Sequence, residues 1–132
     1  MGDTGWTDYE VQSDVLLQQS GSVQVMGRLS TDNGQSTVPG YILEVSDGGS
    51  WSLYVERDDR SEQNLATGHV PFSTGTWHTL KLVFQGQNIG GSIDGTSVAM
   101  VHDGTFASGN CGVGVGGWTL AQFDNFSVSA AQ

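Results

Sequence analysis

The closing stretch Leu120-Ala121-Gln122-Phe123-Asp124-Asn125-Phe126-Ser127-Val128 sets a carboxylate, Asp124, between aromatic residues in an alternating apolar pattern. Such alternation predicts a half-buried strand. A carboxylate inside one is costly to bury unless something pairs with it. The chain has 4 Lys and Arg against 14 Asp and Glu. A hard cation, bound through oxygen, is therefore a better expected partner for Asp124 than a basic side chain. A second carboxylate, Asp3, lies in the opening Gly2-Asp3-Thr4-Gly5-Trp6-Thr7. First and last strands often lie side by side in a β-sandwich, which would let the two chain ends share one ion.

The aromatic residues suggest a second chemistry. Trp6, Trp51, Trp77 and Trp118 are many for 132 residues. Sugar-binding sites use exposed aromatic faces, with a few polar groups to fix hydroxyls. Trp51 is in phase with Leu53 and Val55 and reads as core, and Trp77 as the seal of a sandwich edge. Tyr54 is out of phase with that core, beside Glu56, and Trp118 sits in a Gly-rich turn. Residues out of phase in neighbouring strands, namely Arg28, Glu44, Tyr54 and Glu56, could line a sugar-binding face. Arg28 would donate hydrogen bonds, Glu44 and Glu56 would accept them, and Tyr54 would offer a ring. The competing reading is a solvated, salt-bridged sheet surface. Trp118 is the rival anchor and would place the site at the loop edge.

Other motifs carry less. Glycoside hydrolysis needs two carboxylates flanking the bond. The nearest candidate, the stretch 56–62 (Glu-Arg-Asp-Asp-Arg-Ser-Glu), reads as a charged turn. Gly112-Val113-Gly114-Val115-Gly116-Gly117 fits a dinucleotide fingerprint literally, but β pattern rather than a helix follows it, so the glycines read as a strand with a close neighbour. His69, His78 and His102 lack metal-ligand spacing. Cys111, the single cysteine, reads as a small buried residue. Asn125-Phe126-Ser127 is a glycosylation sequon inside a strand and is taken as incidental.

The elements that must position these residues are short strands. Alternation and turn signals predict strands at 8–17, 23–29, 41–46, 51–57, 65–70, 77–84, 89–93, 98–101, 112–116 and 121–128. Val23, Val25, Gly27 and Leu29 are expected inward, with Gln24, Met26 and Arg28 outward. Asp47-Gly48-Gly49-Ser50 and Asp94-Gly95 read as hairpin turns. No stretch holds helical periodicity, and 20 glycines argue against helix. The expected fold is all-β, an antiparallel β-sandwich or jelly roll, in one domain over 1–132. The formal charge of −10 disfavours nucleic acid and anionic membrane as partners. No signal peptide is read at the N-terminus, and Met1 directly before a domain-like start suits a module excised from a larger protein.

Taken together, several segments resemble a known family. Gly2-Asp3 with Trp6-Thr7 opens the chain. Trp77-His78-Thr79-Leu80-Lys81-Leu82-Val83-Phe84-Gln85-Gly86 leads to Gly91-Ser92-Ile93-Asp94-Gly95, and Gly112-Val113-Gly114 and Ala121-Gln122-Phe123-Asp124-Asn125-Phe126 close it. The pattern resembles the C-terminal lectin-like domain of galactocerebrosidase-type glycoside hydrolases, related to laminin-G-like and concanavalin-like modules. The resemblance implies a calcium-stabilised, non-catalytic carbohydrate-binding module, because the family's catalytic glutamates lie on a separate barrel. Galactose-containing glycans are the implied ligands. Asp3 and Asp124 match the family's calcium carboxylates. The third ligand is an Asn in the family. Here Gly27-Arg28-Leu29 is followed by Ser30, with Asp32 and Asn33 nearby, a departure that leaves the third side-chain ligand open, while backbone carbonyls near Ser30 or Trp6 would complete the shell. The implied setting is secreted, extracellular or lysosome-like, as a monomer beside a catalytic domain of the same parent chain. The rivals are a structural accessory domain that binds no sugar and a sandwich-fold glycosidase.

Overall fold

The computed structural model describes residues 7–29, 39–57, 61–106, 108–116 and 121–130. Ten strands run through them: β1 (Tyr9–Leu17), β2 (Ser22–Leu29), β3 (Gly40–Ser46), β4 (Ser50–Glu56), β5 (Glu62–His69), β6 (Trp77–Gln85), β7 (Asn88–Ile93), β8 (Thr96–His102), β9 (Asn110–Gly116) and β10 (Ala121–Ala130). They form two five-stranded antiparallel sheets, ordered β10-β1-β6-β7-β8 and β5-β4-β3-β2-β9. The chain ends meet as expected, since β1 pairs with β10 from Tyr9 opposite Ala130 to Leu17 opposite Ala121.

Alternation builds the core. Val11, Val15, Leu80, Leu82 and Phe84 of the first sheet and Val23, Val25, Leu43, Leu53 and Val55 of the second are fully buried. Each such side chain contributes about 1.5–3 kcal/mol relative to exposure. Trp51 and Cys111 join the core as read, whereas Trp77 is 46% exposed and seals nothing. Sheet contact is closest at Gly27. A Cβ there would lie 2.2 Å from Phe84 Cε2 and 3.2 Å from the Tyr9 hydroxyl. The Asp94-Gly95 hairpin has both residues at positive φ (54° and 82°), as a type I′ turn requires.

One strand departs from its expected phase. Arg28 was expected to point outward with Gln24 and Met26, but it is 1% exposed. The β2–β9 register shifts between Met26 and Leu29, and Arg28 has φ 49°. A bulge of this kind breaks the period of two and re-aims a side chain. The Arg28 guanidinium turns inward, 4.8 Å from the centre of the Phe84 ring. Its Nε and one terminal NH2 donate to the Thr7 carbonyl at 3.1 and 2.7 Å, and the other donates to the Phe106 carbonyl at 3.2 Å. The Arg28 backbone N–H donates to the Tyr9 hydroxyl at 2.5 Å. Asp8 lies 3.5 Å from the guanidinium. Arg28 thus closes one end of the sandwich, where Tyr9 and Tyr41 flank Phe84 with ring centres 5.1 and 5.7 Å away.

Candidate functional site

The outer face of the second sheet carries a polar array set by register. Gly114, Gln24, Glu44, Ser52 and Thr67 form one cross-strand row. Met26, Ile42, Tyr54 and Asn64 form the next, and Gly40, Glu56 and Glu62 the third. The glycines of β9 keep this face open on one side. A Cβ at Gly114 would press within 3.2 Å of Gln24 and Met26. The close neighbours of this Gly-rich run are thus side chains of β2.

Glu44 is fixed by its neighbours. Ser22 Oγ donates to Glu44 Oε2 at 2.5 Å and Gln24 Nε2 donates to the same oxygen at 3.2 Å. Gln24 Nε2 also approaches the Tyr54 hydroxyl at 3.5 Å. Burial pushes the Tyr54 phenol well above its usual range, and the charges of Glu44, Glu62 and Glu56 push it further. Beside Glu44 lies a depression of about 710 Å³ whose walls include Ser22, Ser46, Asp47, Ser52 and Thr67. Trp51 and Gly68 also border it, but the Trp51 ring is turned into the core, where a Cβ on Gly68 would come within 2.7 Å of it. Open and hydroxyl-rich, such a depression can exchange hydrogen bonds with a polyol.

The family model describing the C-terminal lectin domain of galactocerebrosidase matches residues 1–131. The chain belongs to that family. Mouse galactocerebrosidase is 28% identical over 144 residues, covering 100% of this chain and 20% of that protein. The zebrafish (Danio rerio) protein is 30% identical over 139 residues, covering 98% of this chain and 20% of that protein. The lectin domain therefore spans about a fifth of these relatives' length. Carbohydrate binding module CBM66 from Bacillus subtilis superposes with a TM-score of 0.82 at 19% identity, covering 95% of this chain and 76% of that one. Galectin LEC-6 from Caenorhabditis elegans gives 0.72 at 15% identity, covering 97% and 86%. These likenesses show a shared β-sandwich.

Of the residues read as sugar contacts in the lectin domain, Glu44, Tyr54 and Glu56 do share one face. Arg28 does not reach it, because the bulge buries it at the sandwich end. Trp118 lies outside the described residues. Of the metal set, Asp3, Ser30 and Asn33 also lie outside them. Asp124 is exposed on β10, and its Oδ1 accepts the Asn125 N–H at 2.8 Å. Asp14 sits directly opposite it on β1. The Asp14 carboxylate accepts from Asn125 Nδ2 and Thr79 Oγ1, both at 2.7 Å, and these bonds hold it below the usual carboxylate range. Five residues of β1 separate this level from Tyr9, whose hydroxyl touches Arg28 near the end of β2. At about 3.4 Å per residue this is roughly 17 Å. No three of the described His, Cys, Asp and Glu side chains are arranged to share a metal ion.

Sequence reasoning missed Ser22, Gln24 and Asp47 on this outer face and Asp14 beside Asp124. The two β2 residues were legible, since Gln24 is out of phase exactly as Glu44 is. The Asp14–Asp124 juxtaposition depended on register, which the sequence pattern leaves free.

Proposed function

We propose that the lectin domain binds neutral or basic glycans, galactose-containing ones among them, on the outer face of its second sheet. The observation that carries this reading is the pre-oriented set Ser22–Gln24–Glu44–Tyr54 beside the hydroxyl-lined depression. Polar groups already fixed lose little freedom on binding. The chain acts as a non-catalytic module joined to a glycoside hydrolase, in a secreted or lysosome-like setting, and the family match supports that placement. Titrating galactosides against the isotope-labelled domain should shift resonances of Tyr54 and its sheet neighbours. Glu44→Ala should weaken binding at least about tenfold, since a hydrogen bond to a charged group contributes about 1.5–3 kcal/mol. Unshifted resonances at millimolar sugar would leave the structural accessory reading, and shifts centred on Trp118 would move the site to the loop edge.

Calcium belongs to the same proposal. Asp124 offers an exposed, hard oxygen donor with a second carboxylate opposite, which suits calcium chemistry. Asp124 with Asp3 or Asn33 would hold the ion and tie the chain ends, since Ser30, only two residues from Arg28, cannot span the roughly 17 Å to Asp124. Ligand that binds the folded state alone stabilises it by mass action. Chelation should lower the melting temperature, and Asp124→Ala should abolish that dependence. A melting curve indifferent to chelator and to added calcium would remove the ion from the account.

A further inference from the structure

The lower half of the binding face holds an unbalanced charge. Glu56 points outward in phase with Tyr54, yet it is only 9% exposed, and its Oε2 has no hydrogen-bond partner among the described residues. Glu62 stands directly opposite it on β5. Like charges directly opposite one another destabilise a sheet, and an unpaired buried carboxylate oxygen costs more. Beyond the effect of burial, the charges of Glu44, Glu62 and Glu56 all act on the Tyr54 hydroxyl.

Nothing described on the face neutralises them. The described residues in its three rows and in the Ser22–Ser46–Ser50 row include no Lys or Arg. Arg57 follows Glu56 but serves elsewhere. It donates to Gln63 Oε1, and its charge reaches Asp103, which the Tyr41 hydroxyl contacts at 2.6 Å. A bare metal ion does not fit, because no three of the described acidic groups can share one. What fits is a cation that spreads several donors over more than one carboxylate and carries hydroxyls for Ser22, Gln24 and Glu44.

Resting on the carbohydrate reading above, we propose that this face selects an amine-bearing sugar, a hexosamine with a free ammonium held by Glu56 and Glu62. An ammonium presents three donors, and charge-assisted hydrogen bonds are about twice as strong as neutral ones. The Glu56 carboxylate, whose Oε2 is covered and unpartnered on the empty face, would turn to accept one of them, and the glycan hydroxyls would meet the Glu44 row. Anionic sugars would be repelled.

The test is calorimetry on the full chain with three probes at low salt: a glucosamine oligomer, its fully N-acetylated form, and a neutral galactoside. The amine-bearing oligomer should bind about tenfold more tightly than the acetylated one. That preference should shrink with added salt. It should vanish in Glu56→Gln and weaken in Glu62→Gln, an exposed position where folding is not at stake. Equal binding of amine and acetylated probes overturns the inference and leaves the carbohydrate reading standing. A preference unchanged in both variants also overturns it. Binding of none of the three removes both, and spermidine competing as well as the glucosamine oligomer would show a general cation site in place of a sugar site.

Discussion

Arg28 shows what a single residue can decide. A guanidinium 1% exposed survives because its fork meets two carbonyls and its plane covers a ring. Burial lowers its proton affinity, with the charges of Tyr41, Asp8 and Tyr9 opposing. Arg28→Ala leaves the Thr7 and Phe106 carbonyls without partners and opens a cavity, so it should cost about 3 kcal/mol, read as a lower urea midpoint with unchanged slope. Arg28→Lys should recover little of this, because an ammonium cannot span both carbonyls. The neighbouring phenols give the protein an alkaline limit. Burial foremost pushes Tyr9 and Tyr41 from 10.0 to about 12, so the folded state prefers them protonated. That contribution is complete below pH 10 and fades as pH rises towards 12. The melting temperature should fall across this window in step with phenolate absorbance. A curve flat to pH 12 would mean that the two hydroxyls are accessible. None of this was legible in the sequence, since alternation alone puts Arg28 outside. The only hint was Gly27, and a glycine before an arginine does not announce a bulge.

Strands were legible wherever one face is buried. The segments around Leu53, Leu82 and Val25 alternate cleanly, and their phase fixed which side chains meet. Two places escaped. Glu56 reads correctly as a strand residue, but Glu62 reads as part of a charged loop, whereas it opens β5 and faces Glu56 across a ladder. The reason is physical: β5 has little buried apolar surface, with most of its residues exposed, so it leaves no hydrophobic signature. The second is pairing between chain ends. The sequence pattern implied that β1 and β10 adjoin but left their register open, and register is what puts Asp14 beside Asp124. Sheet-to-sheet contact adds a test at this scale. Gly27→Ala would press a methyl into Phe84 and Tyr9, both immobilised, and should destabilise by about 1–3 kcal/mol by chemical denaturation. A neutral result would mean that the ring has room to move.

For the molecule as a whole, the fold and the family were readable, while the proposed binding face was readable only in part. Glu44, Tyr54 and Glu56 came from counting phase, but their partners came from which strand lies next to which. The same ordering leaves β10, ten residues long, at one border of its sheet, with no strand beyond it among the described residues. Long borders of this kind template accretion of further chains, the first step towards fibrils. Here the border is broken. Ser13 faces both Asn125 and Phe126, and Asn125 sits at φ 52°, a conformation asparagine tolerates better than most residues. Two carboxylates, Asp14 and Asp124, add charge at the break. The bulge that disrupts the ladder therefore also guards against self-templating. Asn125→Val, which favours a flat strand, should convert a soluble preparation into one that seeds thioflavin-positive aggregates on standing, and an equally long-lived soluble variant would show that the guard lies elsewhere.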